Sequence, residues 1–339
     1  MLNKKICLIH AGGTIGMTRS DLGYTPKTGY LKERLEAIAD LYVNGMPEFD
    51  LYEMNPLLDS SNMSVSEWNR IGKMIADCYD KYDGFVILHG TDTMAYTASS
   101  LSFMLENLNK AVIITGSQIP HCEIRSDGRD NLITSMIIAA SGVVSEVCLY
   151  FGGRLLRGNR ATKMSADGLM AFDSPNFPRL AEAGINIKYY PASIKRKNDK
   201  PFNFVPFSEV PIGVLKVFPG INFSLFDAVM TEKLKGVVLE TFGAGNVPGD
   251  GNALIPIIRS AFASGAVITV CSQCPEGTVS LGAYAASSEL LRAGAVSGFD
   301  MTTEAAVAKL YYLFSKNYTT DEIKSLMETD IAGELTSLK

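Results

Sequence analysis

The sequence predicts an α/β protein of two domains, each a mainly parallel β-sheet flanked by helices, with the larger domain first. Its apolar runs are continuous stretches of Val, Ile and Leu, which are typical of parallel strands buried on both faces. These runs alternate with longer helical patterns in a βαβ rhythm. At 339 residues, the chain also has the length of about two domains.

The individual elements follow from this pattern. The predicted strands are the apolar runs at 6–10, 85–89, 111–115, 146–151, 214–218, 237–241 and 266–271. Helical patterns lie near 31–42, 64–82, 94–107, 127–141, 253–263 and 303–316. Two capping-box spacings, Ser64 to Glu67 and Thr319 to Glu322, mark the starts of helices.

One segment, 191–211, interrupts the rhythm because it contains four prolines and a short basic cluster. This composition indicates a linker between domains. We therefore predict an N-terminal catalytic α/β domain over 1–190 and a C-terminal α/β domain over 212–339.

Composition excludes several classes of protein. The net charge of −5 and the pI near 5.4 lack the basic footprint of a nucleic-acid-binding protein. No apolar run has the length of a transmembrane helix, and the N-terminus shows no signal-peptide cleavage pattern. The six cysteines are scattered, so we expect free thiols in a cytoplasmic protein without nucleic-acid or membrane partners.

Glycines and hydroxyl residues follow three of the predicted strands. These segments are 11–16, 90–93 and 116–118. In open α/β sheets, ligands bind beyond the carboxyl ends of the strands. The sequence therefore predicts a site where these three loops meet.

The first loop allows three interpretations from its residues alone. It can be a tight turn, or a dinucleotide loop, although the G-x-G-x-x-G fingerprint is not met. It can also expose Thr14 as a nucleophile, which needs a base. His10 and His89 end buried strands and are expected to be structural. The remaining base candidates are Asp92 and a lysine, whose pKa would have to fall from about 10.4.

Two motifs are more specific. HAGGTIG at 10–16 and LHGTDTM at 88–94 resemble the two signatures of the bacterial asparaginase family, and its cytoplasmic type I members most of all. Four further segments resemble the family in the same order, at 59–61, 115–120, 157–163 and 243–246. The resemblance covers essentially the whole chain.

The resemblance implies an amidohydrolase that needs no metal or cofactor. Thr14 would attack the side-chain amide carbon of L-asparagine, release ammonia, and leave an ester that water hydrolyses to aspartate. Tyr24 resembles the tyrosine of the family's mobile lid. Thr91, Asp92 and Lys163 resemble a second triad that activates a nucleophile or the water. Which of the two threonines attacks first is left open.

Substrate binding and assembly are also implied. Asp59, Ser60 and Ser61 resemble the binders of the substrate's α-amino and α-carboxylate groups, and Ser117 belongs to the same expected set. Asn246 resembles a residue supplied to the site of a neighbouring subunit. The resemblance therefore implies a homodimer or homotetramer.

Some cytoplasmic relatives have a second, effector site for asparagine. The expected arginine is replaced here by Glu240, and this removes the obvious partner of a ligand carboxylate. Thr162 and Cys274 are the other candidate residues for this site. Cys271 and Cys274 have C-x-x-C spacing, but without a second pair or a nearby histidine we interpret them as structural.

We thus predict hydrolysis of L-asparagine. One alternative is the same chemistry on glutamine, which differs by a methylene worth about 1–3 kcal/mol in a pocket, or on another amide. The other alternative is a small-ligand-binding α/β protein without turnover.

Overall fold

The computed structural model describes residues 4–21, 23–248 and 253–336. It divides into two compact units, Met1–Pro206 and Phe207–Lys339, which are described separately. Within the described residues, no helix has the length and apolar character needed to span a bilayer.

The first unit contains the following elements in chain order. Its strands are β1 (Lys5–Gly12), β2 (Met17–Ser20), β3 (Gly23–Pro26), β4 (Glu48–Leu58), β5 (Gly84–Leu88), β6 (Leu105–Glu106), β7 (Ala111–Thr115), β8 (Val147–Phe151), β9 (Arg154–Arg157), β10 (Thr162–Lys163), β11 (Phe172–Asp173), β12 (Ala181–Ala183), β13 (Ile187–Tyr189) and β14 (Asn203–Phe204). Its helices are α1 (Tyr30–Glu36), α2 (Val65–Cys78), α3 (Met94–Met104) and α4 (Gly128–Ala140).

Eight of these strands form one sheet in the order β13-β12-β9-β8-β7-β5-β1-β4. The strands from β8 to β4 are parallel, whereas β9, β12 and β13 add antiparallel pairs. Val86 and Ile87 face opposite sides of the sheet, yet both are completely buried. Helices therefore cover both faces, which explains the continuous apolar runs.

Strand β4 was not predicted, although it is the longest in the sheet. It lies at the sheet edge, and among the described residues it pairs only with β1. Its sequence EFDLYEMNPLL contains acidic residues and Pro56, which an edge strand tolerates because one side makes no ladder hydrogen bonds. These polar residues break up the continuous apolar run that is typical of the central strands.

The two predicted capping boxes have different outcomes. Thr319 and Glu322 form the complete reciprocal box at the start of α8 (Thr320–Met327), as predicted. Ser64 is the residue before α2, but its hydroxyl contacts the Glu67 carboxylate instead of a backbone N–H. The prediction of a capping box at Ser64 was therefore wrong.

The second unit is a smaller parallel sheet with helices. Its other elements are β15 (Ile212–Lys216), β16 (Gly236–Thr241), α5 (Leu254–Ala263), β17 (Val267–Ser272), α6 (Ala285–Ala293), β18 (Val296–Ser297) and α7 (Thr303–Phe314). The strands are all parallel and follow the order β15-β16-β17-β18. The predicted class of two mainly parallel α/β sheets is confirmed.

The proline-rich segment packs partly on the first unit. Its strand β14 pairs with β6, and the ring of Phe202 stacks on Tyr79 with centroids 3.9 Å apart. Asn198 donates to and accepts from Asn109 through backbone and side-chain atoms at 2.6–2.7 Å. Residues up to Pro206 therefore belong to the first compact unit.

A completely buried ion pair stabilises the C-terminal segment of the second unit. Lys309 Nζ lies 2.6 Å from Glu334 Oε1 and also donates to two backbone carbonyl groups. Burial alone would raise the pKa of Glu334, but the Lys309 ammonium group and backbone N–H donors outweigh it and lower this pKa. Burial lowers the pKa of Lys309 although Glu334 opposes this, and all three ammonium protons have a partner.

We predict that Lys309→Met lowers the free energy of unfolding of the second unit by about 3–5 kcal/mol, because Glu334 is left buried and unpaired. The loss should be largest above pH 4.5, the ordinary pKa of a glutamate, and should shrink as pH falls and Glu334 takes a proton. Urea denaturation across pH measures both effects.

Two further variants complete this test. Lys309→Met with Glu334→Gln should recover part of the loss, since no unpaired charge remains. Lys73→Met removes an exposed ion pair with Asp77 and should change stability by less than about 1 kcal/mol. Equal effects of Lys309→Met and Lys73→Met would contradict the prediction.

Candidate active site

Three loops of the first unit meet through glycine backbones at the carboxyl edge of the large sheet. A Cβ atom on Gly13 would lie 2.2 Å from the Gly90 nitrogen, and one on Gly90 would lie 2.4 Å from Ser60 Oγ. Side chains at these glycines would therefore force the loops apart. The contact brings the turn after β1 against the loops after β5 and β4.

Thr14 begins a single 3-10 turn, Thr14–Gly16, directly after this contact. Gly13 has φ 85°, a conformation that favours glycine, and its N–H donates to the Leu58 carbonyl oxygen at 3.1 Å. Ile15 and Gly16 are buried, whereas Thr14 remains half-buried. The turn thus holds the Thr14 side chain at the loop junction while its neighbours pack inward.

Thr91, Asp92 and Lys163 form one hydrogen-bonded cluster, although Lys163 is far from the other two in sequence. Lys163 Nζ donates to Thr91 Oγ1 at 2.9 Å and to Asp92 Oδ1 at 2.7 Å. Thr91 is buried, whereas the Asp92 side chain is 66% exposed. The cluster therefore places a cation beside a buried hydroxyl oxygen, with its counter-ion open to solvent.

Gln118 belongs to this cluster but was not among the predicted site residues. Its Nε2 donates to the carbonyl oxygens of Ala166 and Gly168, both at 3.2 Å, and this orientation turns Oε1 toward Thr91. The Thr91 hydroxyl donates to that oxygen at 3.1 Å. Gln118 follows Gly116 and Ser117 in one of the three loops that were predicted to form the site. Its position in this loop could therefore have identified it.

His89 fixes the loop before Thr91 through a buried chain of hydrogen bonds. Its Nδ1 donates to the Gly90 carbonyl oxygen at 2.7 Å, and its Nε2 accepts from the Thr97 hydroxyl at 2.8 Å. Trp68 Nε1 in turn donates to Thr97 Oγ1 at 3.0 Å. Complete burial lowers the pKa of His89 to about 4, so the imidazole is neutral. This geometry agrees with the expected structural role.

The predicted substrate binders of the first unit lie beside the same junction. Asp59 and Ser61 are exposed, and the Asp59 carboxylate accepts the Ser61 N–H at 3.1 Å. Ser60 is buried, and its carbonyl oxygen accepts the Thr93 hydroxyl at 2.7 Å. Ser117 is completely buried, and its Oγ has no hydrogen-bond partner among the described residues.

Tyr24 lies on β3, which pairs antiparallel with β2. Its hydroxyl donates to Glu123 Oε1 at 2.8 Å, and Arg19 Nε donates to the same oxygen at 2.9 Å. These two bonds lower the pKa of Glu123. The structure therefore joins Tyr24 to Glu123, a residue that sequence reasoning missed.

The remaining predicted residues fall into both units. Asn246 lies in a turn of the second unit, where its N–H and C=O each bond to Phe242 at 2.9 Å. Glu240 Oε1 accepts the Thr303 hydroxyl at 2.6 Å, and Cys274 is exposed. Thr162 lies in the first unit, directly before Lys163 on β10. The candidate effector site therefore stays a prediction.

Comparison with known families accounts for both units. The model described as "Asparaginase, N-terminal" matches residues 5–195, and the model described as "Glutaminase/Asparaginase C-terminal domain" matches residues 211–327. Together they include the loops that carry Thr14, Thr91 and Lys163.

Similar proteins extend over nearly the full length of the chain. L-asparaginase 1 of Escherichia coli K12 is 44% identical over 99% of each chain. The crystal structure of L-asparaginase I from Vibrio cholerae is 43% identical, covers 98% of this chain and 99% of its own, and superposes with a TM-score of 0.91. The thermostable L-asparaginase from Thermococcus kodakarensis is 31% identical at the same coverage, with a TM-score of 0.89. On sequence and on structure, this chain belongs to the asparaginase family.

Proposed function

We propose that this protein hydrolyses L-asparagine to L-aspartate and ammonia. The observation that carries the proposal is the hydrogen-bonded cluster of Thr91, Asp92 and Lys163 beside the glycine contact that holds Thr14. The cluster supplies hydroxyl, ammonium and carboxylate groups beside the glycine-rich loops. Amide hydrolysis requires these kinds of group: a nucleophile, a proton carrier and donors to an oxyanion.

Thr14 is the proposed nucleophile. Its hydroxyl oxygen bonds to the side-chain amide carbon, and the carbonyl oxygen becomes an oxyanion that backbone N–H groups of the glycine-rich loops stabilise. The C–N bond then breaks, and ammonia leaves with the proton from Thr14. Tyr24, in contact with Glu123, is the proposed partner of this hydroxyl once substrate is bound.

The second triad is proposed to activate water against the ester on Thr14. The charged Lys163 donates to Thr91, whose own proton is directed at Gln118. For Thr91 to pass a proton toward Lys163, its hydroxyl must rotate away from Gln118 and the lysine must be neutral. The state that reacts therefore differs from the resting hydrogen-bond pattern in these protons.

Asp59, Ser60, Ser61 and Ser117 are proposed to hold the α-amino and α-carboxylate groups of the substrate. We also propose a homodimer or homotetramer in which a neighbouring subunit supplies Asn246, whose backbone is held rigidly in its turn. The six free cysteines support a cytoplasmic setting, where thiols stay reduced.

We predict that Thr14→Ala lowers the rate of ammonia release from L-asparagine by roughly 10⁴-fold or more, because the nucleophile is lost. Thr231→Ala, which removes an exposed hydroxyl bond to the Asp227 carbonyl group in the second unit, serves as the matched control and should retain the wild-type rate. Wild-type release from L-glutamine should be about tenfold slower or more, since one methylene must be accommodated.

Mass spectrometry of protein quenched during turnover then identifies the nucleophile. An acyl adduct on Thr14 supports the proposed order of steps, whereas an adduct on Thr91 reverses the roles of the two threonines. Asparagine that stabilises the wild type without any ammonia release would favour the alternative of a ligand-binding protein.

We predict that Lys163→Met lowers kcat by about 10²-fold or more, because Thr91 and Asp92 lose their shared donor. Lys163→Arg keeps the charge but cannot lose a proton near neutral pH. An arginine variant as slow as the methionine variant indicates that the lysine carries a proton; a partly active one indicates that it only orients the cluster. Lys73→Met breaks an exposed Lys–Asp pair of similar length and should retain activity.

We also predict a hyperbolic dependence of rate on asparagine concentration. Glu240 is a carboxylate already bonded to Thr303, so it would repel the α-carboxylate of a second asparagine at the candidate effector site. Initial rates over a wide concentration range test this, and a sigmoidal curve would show that Thr162 and Cys274 act with other partners.

A further inference from the structure

Both ends of the hairpin that carries Tyr24 rest on a single pair of side chains. We call strands β2 and β3 the Tyr24 hairpin. Gly16 directly precedes β2, and Gly29 follows β3 as the residue before helix α1. His10 touches the first of these glycines, and Glu53 binds the second.

The contacts are specific. Glu53 Oε1 accepts the Nδ1 proton of His10 at 3.1 Å, and Glu53 Oε2 accepts the Gly29 N–H at 3.0 Å. A Cβ atom on Gly16 would lie only 2.4 Å from His10 Nε2, so the imidazole ring packs directly against this glycine. One carboxylate and one imidazole therefore connect the turn of Thr14 with the start of α1.

The pair is built on a rigid part of the fold. His10 and Glu53 face each other across the parallel ladder between β1 and β4. His10 is completely buried, and the Glu53 side chain is 17% exposed. Burial lowers the pKa of His10 despite the nearby carboxylate, so the ring is neutral and keeps its proton on Nδ1. Its Nε2 has no hydrogen-bond partner among the described residues and faces Gly16.

We propose that His10 and Glu53 are positioning residues for the hydrolysis: they set both ends of the Tyr24 hairpin relative to the Thr14 turn. This proposal rests on the proposed function. Near its tip the hairpin is also bonded to Glu123, and these bonds are exposed to solvent, whereas His10 at the other end is completely buried. The contacts of His10 and Glu53 with Gly16 and Gly29 therefore fix the position of the hairpin. A displacement of about 1 Å in a reacting group can cost 10²-fold in rate.

Two substitutions at Glu53 separate its bonds. Glu53→Ala removes both acceptors. Glu53→Gln keeps the shape and one acceptor oxygen for Gly29, but its amide nitrogen then faces the Nδ1 proton of His10. Two donors then face each other. The imidazole ring can avoid this only by carrying its proton on Nε2, which has no acceptor among the described residues. Glu53→Gln should therefore lie between Glu53→Ala and the wild type.

Two further variants complete the set. His10→Phe keeps a ring against Gly16 and removes only the donor to Glu53, so the bond to Gly29 remains. Glu48→Ala is the matched control: it removes an exposed glutamate from the same strand, β4, away from the hairpin.

The experiment measures kcat and KM for ammonia release from L-asparagine, the rate of trypsin cleavage after Arg19 in β2, and the thermal midpoint. We expect Glu53→Ala to lower kcat by roughly 10- to 100-fold and to accelerate the cleavage, because the hairpin detaches at its base. Glu53→Gln and His10→Phe should change kcat and the cleavage rate in the same direction but by less. Glu48→Ala should change neither.

Several outcomes overturn the proposal. One is Glu53→Ala cleaved no faster than Glu48→Ala; another is a lower thermal midpoint with kcat unchanged, which would indicate a purely structural pair. If Glu53→Ala does not fold, the comparison of Glu53→Gln and His10→Phe with the control decides. A wild type that releases no ammonia refutes the proposed function, while the cleavage rates still test the hairpin contact.

Discussion

The site of the first unit depends on one contact between main chains, Gly13 against Gly90. Each strand of the parallel sheet ends at the same edge, but strand ends alone lie about 4.8 Å apart, with side chains between the loops. Because Gly13 and Gly90 have no side chains, the two loops can touch, and Thr14 and Thr91 therefore lie at one junction. The hydrogen-bonded cluster of Lys163 is then added to a geometry that the backbone has already fixed.

Much of this could be predicted from the sequence because the central strands are buried on both faces and carry an unmistakable apolar pattern. The motifs containing Thr14 and Thr91 were found for the same reason: each follows such a strand. The edge strand β4 was not predicted because acidic residues and Pro56 interrupt its apolar pattern. Glu53 and Glu123 were not predicted because they act through contacts with residues that are distant in sequence. A single glutamate gives no local sign of such contacts.

Two lysine–carboxylate pairs show that the role of an ion pair depends on its burial. Lys309 and Glu334 are shielded completely, with further bonds that satisfy both charges, so the pair fixes a chain segment. Lys163 shares its protons with a threonine hydroxyl and with a carboxylate that is largely in water. The first arrangement resists any change of charge, whereas the second leaves room for a substrate and for proton transfer.

The position of β4 at the edge of the large sheet also bears on self-association. A long, regular edge strand exposes a row of backbone donors and acceptors that can pair with another chain and begin aggregation. Here the strand carries the exposed Glu48 and is interrupted by Pro56, so an approaching strand meets a negative charge and an irregular backbone. Lys5 neutralises Asp50 from the neighbouring strand without adding an apolar surface. The polar residues and the proline that interrupt the apolar pattern of β4 thus also protect the protein from edge-to-edge aggregation.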